Sequence, residues 1–175
     1  FHEWMTGTGL LYLKSAAIPV ATVFTTHATV IGRCIAGNNL PLYDGIMGYD
    51  ADEKARHFNV VARHSLEKKA AEYCDIFTTV SDLTAQECRQ FLGRKVDVVT
   101  PNGFEPSFTP ATDEEYEAKR AAARERFITV AGAMGGEKIA ENAVLVGIGG
   151  RYEWKNKGID VFIDALDKLN RSDYK

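Results

Sequence analysis

The stretch Pro19-Val20-Ala21-Thr22-Val23-Phe24-Thr25-Thr26-His27 decides the fold, because a proline introduces a short β-branched and apolar run and a polar loop closes it. Residues 20–25 suit a buried strand of a parallel sheet, which is apolar on both faces. Working outward, residues 4–15 read as a helix despite Gly7 and Gly9. Residues 52–73 form the longest helical signal, with Phe58, Val61, Leu66 and Ala70 near helical spacing among charges. Residues 75–80 are the next strand, and Ser81-Asp82 reads as the N-cap of a helix over 85–92 that stops at Gly93. Residues 96–100 are a further strand, halted by the turn signal Pro101-Asn102-Gly103. Strands alternating with helices at this spacing predict an α/β fold of parallel strands joined by right-handed crossovers.

The texture changes after the turn. Residues 113–126 are dense in charge and are followed by the glycine-rich Ala131-Gly132-Ala133-Met134-Gly135-Gly136, which predicts an exposed helical excursion and then a loop. A second unit opens with the apolar strand candidate at 143–148, continues through Gly149-Gly150-Arg151 and enters a helix near Lys157-Gly158. The expected organisation is therefore the end of one Rossmann-like domain over 1–104, a charged hinge region over 105–142, and the start of a second Rossmann-like domain over 143–175.

Composition narrows the class. The chain has 175 residues, of which 45% are hydrophobic, which excludes a disordered or collagenous chain. With 21 Lys+Arg against 24 Asp+Glu the net charge is −3, so no basic excess exists to draw a polyanion, and no nucleic-acid partner is expected. The longest apolar runs are strand-sized, so no membrane partner is expected either. Cys34, Cys74 and Cys88 form an odd set without a CxxC or a zinc-site spacing, which reads as inert thiols in a reducing compartment. The sequon Asn170-Arg171-Ser172 is discounted, since such triplets are common by chance. Neither an initiator Met nor a signal peptide precedes Phe1, and residues 158–166 begin a helix whose packing partners the chain does not encode. An internal piece of a longer protein is the expectation.

Ligands of open α/β sheets bind beyond the carboxyl ends of the strands. His27, Asn102 and the pair Arg151 and Lys157 each follow a predicted strand. A guanidinium before a helix and an ammonium at its first turn suit a diphosphate, although both residue types are commonly solvated surface cations. A lone histidine after a strand is likewise often a structural hydrogen-bonder. His57 and His64 read as surface or packing residues, and Trp4, Tyr152 and Trp154 as aromatics that pack into a core more often than they stack on a sugar. Neither a P-loop nor a complete GxGxxG is present; Gly147-Ile148-Gly149-Gly150-Arg151 falls short of it.

Five blocks together carry a resemblance. Phe1-His2-Glu3-Trp4, Phe24-Thr25-Thr26-His27-Ala28-Thr29-Val30-Ile31-Gly32-Arg33, Phe77-Thr78-Thr79-Val80-Ser81, Val99-Thr100-Pro101-Asn102-Gly103 and Gly150-Arg151-Tyr152-Glu153-Trp154-Lys155-Asn156-Lys157-Gly158 closely resemble blocks of the animal and fungal type of glycogen synthase, in that family's order and spacing. The resemblance implies the GT-B fold, two Rossmann-like domains facing a cleft. The implied activity is retaining transfer of glucose from UDP-glucose to the non-reducing end of an α-1,4-glucan, by a same-face route, in a cytoplasmic homo-oligomer. It implies that Arg151 and Lys157 hold the donor diphosphate without a metal or other cofactor, that His27 lies near the transferred glucose, that Arg33 faces the phosphates and that Glu3 approaches the sugar hydroxyls. Asn102 and Gly103 are first a hinge turn and second a possible donor contact, and Phe104-Glu105-Pro106 departs from the apolar start more common after that turn. The family's further glutamate, base-binding residues, allosteric arginine helix and N-terminal phosphate loop lie outside the stretch, so the chain by itself is not expected to be a competent enzyme. Rival readings are another retaining GT-B transferase, of the sucrose- or trehalose-forming type, and a non-catalytic glucan-associated scaffold.

Overall fold

The computed structural model describes residues 1–172; residues 173–175, the end of the segment expected to open a second domain, lie outside it. The chain forms two compact units, residues 1–102 together with those from Gly150 onward, and residues 103–149.

The first unit is built on three parallel strands, β1 (Val23–Thr26), β2 (Ile76–Thr79) and β3 (Val98–Val99), in the order β1-β2-β3. Val23 lies beside Ile76, Thr26 beside Thr79, and Thr78 beside Val98. Phe1 and His2 run along the outer edge of β1, where the Thr25 N–H donates to the Phe1 carbonyl at 2.9 Å. The α/β expectation holds at this level: a small parallel sheet with helices on it.

The first strand starts later than its apolar run. The Thr22 N–H is taken by Asp75 Oδ2 at 2.6 Å, so the ladder opens only at Val23. Lys14 and Thr22 together hold the Asp75 carboxyl well down, to about 2. β3 is short by label, yet the bonds Asp97 N–H to Phe77 O and Thr100 N–H to Thr79 O continue its pairing on both sides.

Helix α1 (Glu3–Ser15) packs on α4 (Val61–Tyr73), and α2 (Val30–Gly37) follows β1. The single helix expected over 52–73 is two, α3 (Ala51–His57) and α4, parted at Phe58-Asn59-Val60. Asn59 sits at φ 56, the left-handed region that asparagine tolerates better than most residues, and apolar spacing alone does not register such a break. Helix α5 (Asp82–Glu87) starts as expected, with Ser81 Oγ accepting the Thr84 N–H at 3.1 Å. It continues as a π-helical turn over Cys88–Leu92, which ends at Gly93.

Two clusters form the core. Leu10, Phe24, Ala70, Phe77, Cys88 and Leu92 form the first, in which Phe24 of β1 and Phe77 of β2 stack with centroids 5.9 Å apart. Ile31, Ile35, Ile46, Ala55 and Phe91 form the other and pack α2 and α3 against the π-helical turn. Each buried phenylalanine contributes about 1.5–3 kcal/mol by leaving water.

The second unit is dominated by α6 (Asp113–Gly135), capped by Thr112 Oγ1 accepting the Glu115 N–H at 3.2 Å. The helix runs through the glycine-rich stretch expected to be a loop. Alanine and methionine favour helix there, and one interior glycine costs only about 1 kcal/mol against alanine. It stops at Gly136, whose φ of 71 is open to glycine. The Arg124 guanidinium holds the carbonyls of Glu141 and Ala143 and folds the following chain back along α6. The strand expected over 143–148 does not form. A strand needs a neighbour for its N–H and C=O groups, and none pairs with it among the described residues; Val144 is 86% exposed. The last helix, α7 (Ile159–Arg171), belongs to the first unit and starts after Gly158 as the sequence suggests.

Candidate functional site

β1 ends on Thr25-Thr26 and delivers His27 at the carboxyl edge of the sheet. The His27 N–H donates to Glu3 Oε1 at 2.9 Å, and its Nε2 lies 2.9 Å from Nδ1 of His2. The ring is thereby held from the edge segment and keeps Nδ1 for another partner. Glu3 adopts φ 62, a costly conformation for a residue with a Cβ, and the reach of its carboxylate back to His27 helps to hold it there.

After His27 the chain turns into α2. Thr29 Oγ1 caps this helix by accepting the Gly32 N–H at 2.9 Å, and it donates to Glu87 Oε2 at 2.7 Å. The Val30 N–H donates to Glu67 Oε2 at 3.0 Å. Glu67 is fully buried on α4, and burial pushes its carboxyl up to about 8, with the nearby Glu3 and Glu87 charges adding to the rise. The second Glu87 oxygen accepts from the Tyr43 hydroxyl at 2.8 Å; burial and this carboxylate push Tyr43 up to about 12.

A cleft of about 770 Å³ opens in front of this arrangement, within the range of small-molecule sites. One wall carries His27, Arg33 and Tyr43, with Glu87 beneath, and the other carries Arg151, Glu153, Asn156 and Lys157 from the turn that leads into α7. Arg151 pairs with Glu153 at 2.9 Å and Lys155 with Asp160 at 2.6 Å. Among the described residues, Arg33 and Lys157 have no carboxylate within ion-pair distance. Two uncompensated cations beside a third whose partner is half-exposed favour a ligand of two or more negative charges.

Four sequence-predicted residues, His27, Arg33, Arg151 and Lys157, thus line one cleft. Glu3 stands behind His27. Asn102 and Gly103 are exposed at the junction of the two units and are not part of the cleft walls. Tyr152 and Trp154, expected to pack into a core, are 86% and 44% exposed, while Trp4 is half-buried under the Arg63 guanidinium. His57 is exposed, and His64 is buried, which holds its imidazole below the ordinary value. Cys74 and Cys88 are buried and Cys34 partly so; burial raises all three thiols.

The sequence analysis missed Glu67 and Glu87. Their trace in the sequence is register only: 64, 67, 70 and 71 share the buried face of α4, and a charged residue on such a face is easily read as solvated.

Comparison with known proteins fits this geometry. The sequence model of the family described as glycogen synthase matches residues 1–173. The chain belongs to the glycogen synthase family. It is 38% identical over 173 residues to the liver glycogen [starch] synthase of Mus musculus and 37% identical over 172 residues to the glycogen [starch] synthase of Neurospora crassa, in both cases over 97% of this chain and 24% of the relative. It is 38% identical to the glycogen [starch] synthase of Dictyostelium discoideum over 98% of this chain and 20% of that protein. The chain therefore spans about a quarter of the length of these relatives. Four of the five blocks that resemble glycogen synthases map onto the sheet, as the edge segment, β1 with α2, β2 and β3. The fifth is the turn that carries Arg151 and Lys157.

Proposed function

We propose that this cleft is the donor-diphosphate side of a retaining glucosyltransferase that moves glucose from UDP-glucose to the non-reducing end of an α-1,4-glucan. The observation that supports it is the meeting of Arg33, Arg151 and Lys157 with His27 in one cleft at the carboxyl edge of the sheet. In this reading the bond between the glucose C1 and the phosphate oxygen breaks while C1 bonds to the acceptor hydroxyl on the same face, and the acceptor's proton leaves on the departing diphosphate. Negative charge grows on that diphosphate as the bond breaks. Cations fixed around it before the reaction stabilise the transition state more than the ground state. Arg151 exchanges Glu153 for phosphate, Lys157 and Arg33 supply the unpaired charges, and His27 Nδ1 faces the sugar, steadied by His2 and Glu3.

The wider reading has the GT-B arrangement, with a second Rossmann-like domain supplying the base and ribose contacts and Asn102-Gly103 serving as a hinge. It places the complete protein in the cytoplasm as a homo-oligomer, and it assigns the diphosphate charge to side chains, so that no metal is required. Glycogen synthase relatives by name favour a glucan acceptor over small sugars.

The test is glucosyl transfer by the complete protein carrying this sequence. Lys157→Ala or Arg151→Ala is expected to lower kcat by about 100- to 1,000-fold, as for loss of one transition-state donor, with folding intact. Near-normal turnover in both variants would overturn the assignment.

A further inference from the structure

We infer that Glu87 is a positioning residue of this cleft: its carboxylate ties the first turn of α2 to the loop after α2 and thereby sets the placement of Arg33. The inference rests on the reading of the cleft as a donor site.

Glu87 is 4% exposed, on a helix that reaches the cleft from beneath. One oxygen accepts from Thr29 and the other from Tyr43, so a single rigid group joins the two segments on either side of Arg33. The join is tight. A Cβ on Gly32 would land on the Glu87 carboxylate and lie 2.7 Å from Thr29 Oγ1, so glycine is what lets the helix approach. Arg33 is the next residue, and its N–H donates to the Thr29 carbonyl at 3.0 Å. The Tyr43 segment, including Leu40 and Leu42, forms the neighbouring wall. With Val30 bonded to Glu67 and Gly32 to Thr29, the free N–H groups of the first turn are largely taken up by the protein itself. The ligand's charge must then be met by the Arg33 side chain, whose place depends on that turn.

The experiment uses the complete protein and measures KM for UDP-glucose, KM for glucan and kcat in Tyr43→Phe, Glu87→Gln, Arg33→Ala and the double variant Glu87→Gln/Arg33→Ala. Tyr43→Phe removes one hydroxyl and keeps the test alive if Glu87→Gln folds poorly. Expected is a rise of about tenfold in donor KM for Tyr43→Phe and Glu87→Gln, the equivalent of one charge-assisted hydrogen bond, with glucan KM unchanged. In the Arg33→Ala background the Glu87→Gln effect should shrink to within about twofold, because coupled residues are not additive. Unchanged donor KM in the folded single variants, or an effect that multiplies with that of Arg33→Ala, overturns the positioning role. An unchanged donor KM in Arg33→Ala overturns the donor-site reading itself.

Discussion

Replacing Gly32 by alanine separates helix propensity from packing. In an open helix the change stabilises by about 1 kcal/mol, since alanine is the better helix former. Here the new methyl group would fall on the Glu87 carboxylate, 2.9 Å from its Cδ and 2.7 Å from Thr29 Oγ1, with the core cluster of Ile31, Ile35 and Phe91 fixing α2 from behind. The carboxylate must withdraw, and with it go its bonds from Thr29 at 2.7 Å and Tyr43 at 2.8 Å. Hydrogen bonds to a charged group contribute roughly 1.5–3 kcal/mol each, so losing two and recovering the propensity leaves a net loss of roughly 2–5 kcal/mol. Urea unfolding followed by far-UV circular dichroism reads this directly. The same substitution in a Glu87→Ala background should cost less by at least about 1 kcal/mol, because the obstructing carboxylate is gone. A Gly32→Ala protein as stable as its parent, or one whose loss is the same with and without the Glu87 carboxylate, would refute the reasoning.

Two further expectations concern protons. Burial keeps the Glu67 proton to about pH 8, whereas the unfolded carboxyl releases it near 4.5, so the folded state holds the extra proton between those values. Stability from this group is complete below pH 4.5 and falls as pH rises toward 8, by up to about 1.4 kcal/mol per pH unit. Glu67→Gln should remove that slope. Comparing the two proteins isolates it from His64, whose depressed value works in the opposite direction below pH 6.5, and parallel curves would contradict it. At Asp75 the Lys14 ammonium and Thr22 hold the carboxyl at about 2, so its support is present above pH 3.8 and is lost as pH falls toward 2. An NMR titration should find that midpoint near 2 and find it raised in Lys14→Ala; an unshifted midpoint in the variant would show the ion pair to be inconsequential.

The parallel sheet was legible because Val23-Phe24 and Ile76-Phe77 are short apolar runs that end on paired threonines, and the end of the first strand pointed to the edge where the cleft lies. The end of the third leads to Asn102 outside the cleft, and Arg151 and Lys157 reach the cleft from a turn that no strand directly precedes. The break at Asn59 was not legible, since a left-handed residue leaves the apolar spacing on either side unchanged. Residues 143–148 carry a strand's composition, yet composition does not supply the neighbour that pairing requires. The cleft cations were visible as types and positions, and the resemblance grouped them. Glu67 and Glu87 were invisible for a different reason: a buried acid is defined by what packs around it, and that is a property of the folded chain.

These two acids explain how Arg33 comes to sit where it does. A cation in the first turn of a helix faces the positive end of the helix dipole, an unfavourable place that costs up to about 1 kcal/mol on an exposed helix. Glu67, which keeps its proton to about pH 8, occupies the Val30 N–H as a neutral acid, while the Glu87 carboxylate accepts from the cap residue Thr29, stands behind the turn and offsets part of the field that Arg33 would otherwise meet. The Arg33 charge in return lowers the Glu67 carboxyl, against the larger opposing effect of burial. The arrangement keeps the guanidinium at the cleft without a carboxylate partner of its own, charged and open to an incoming anion.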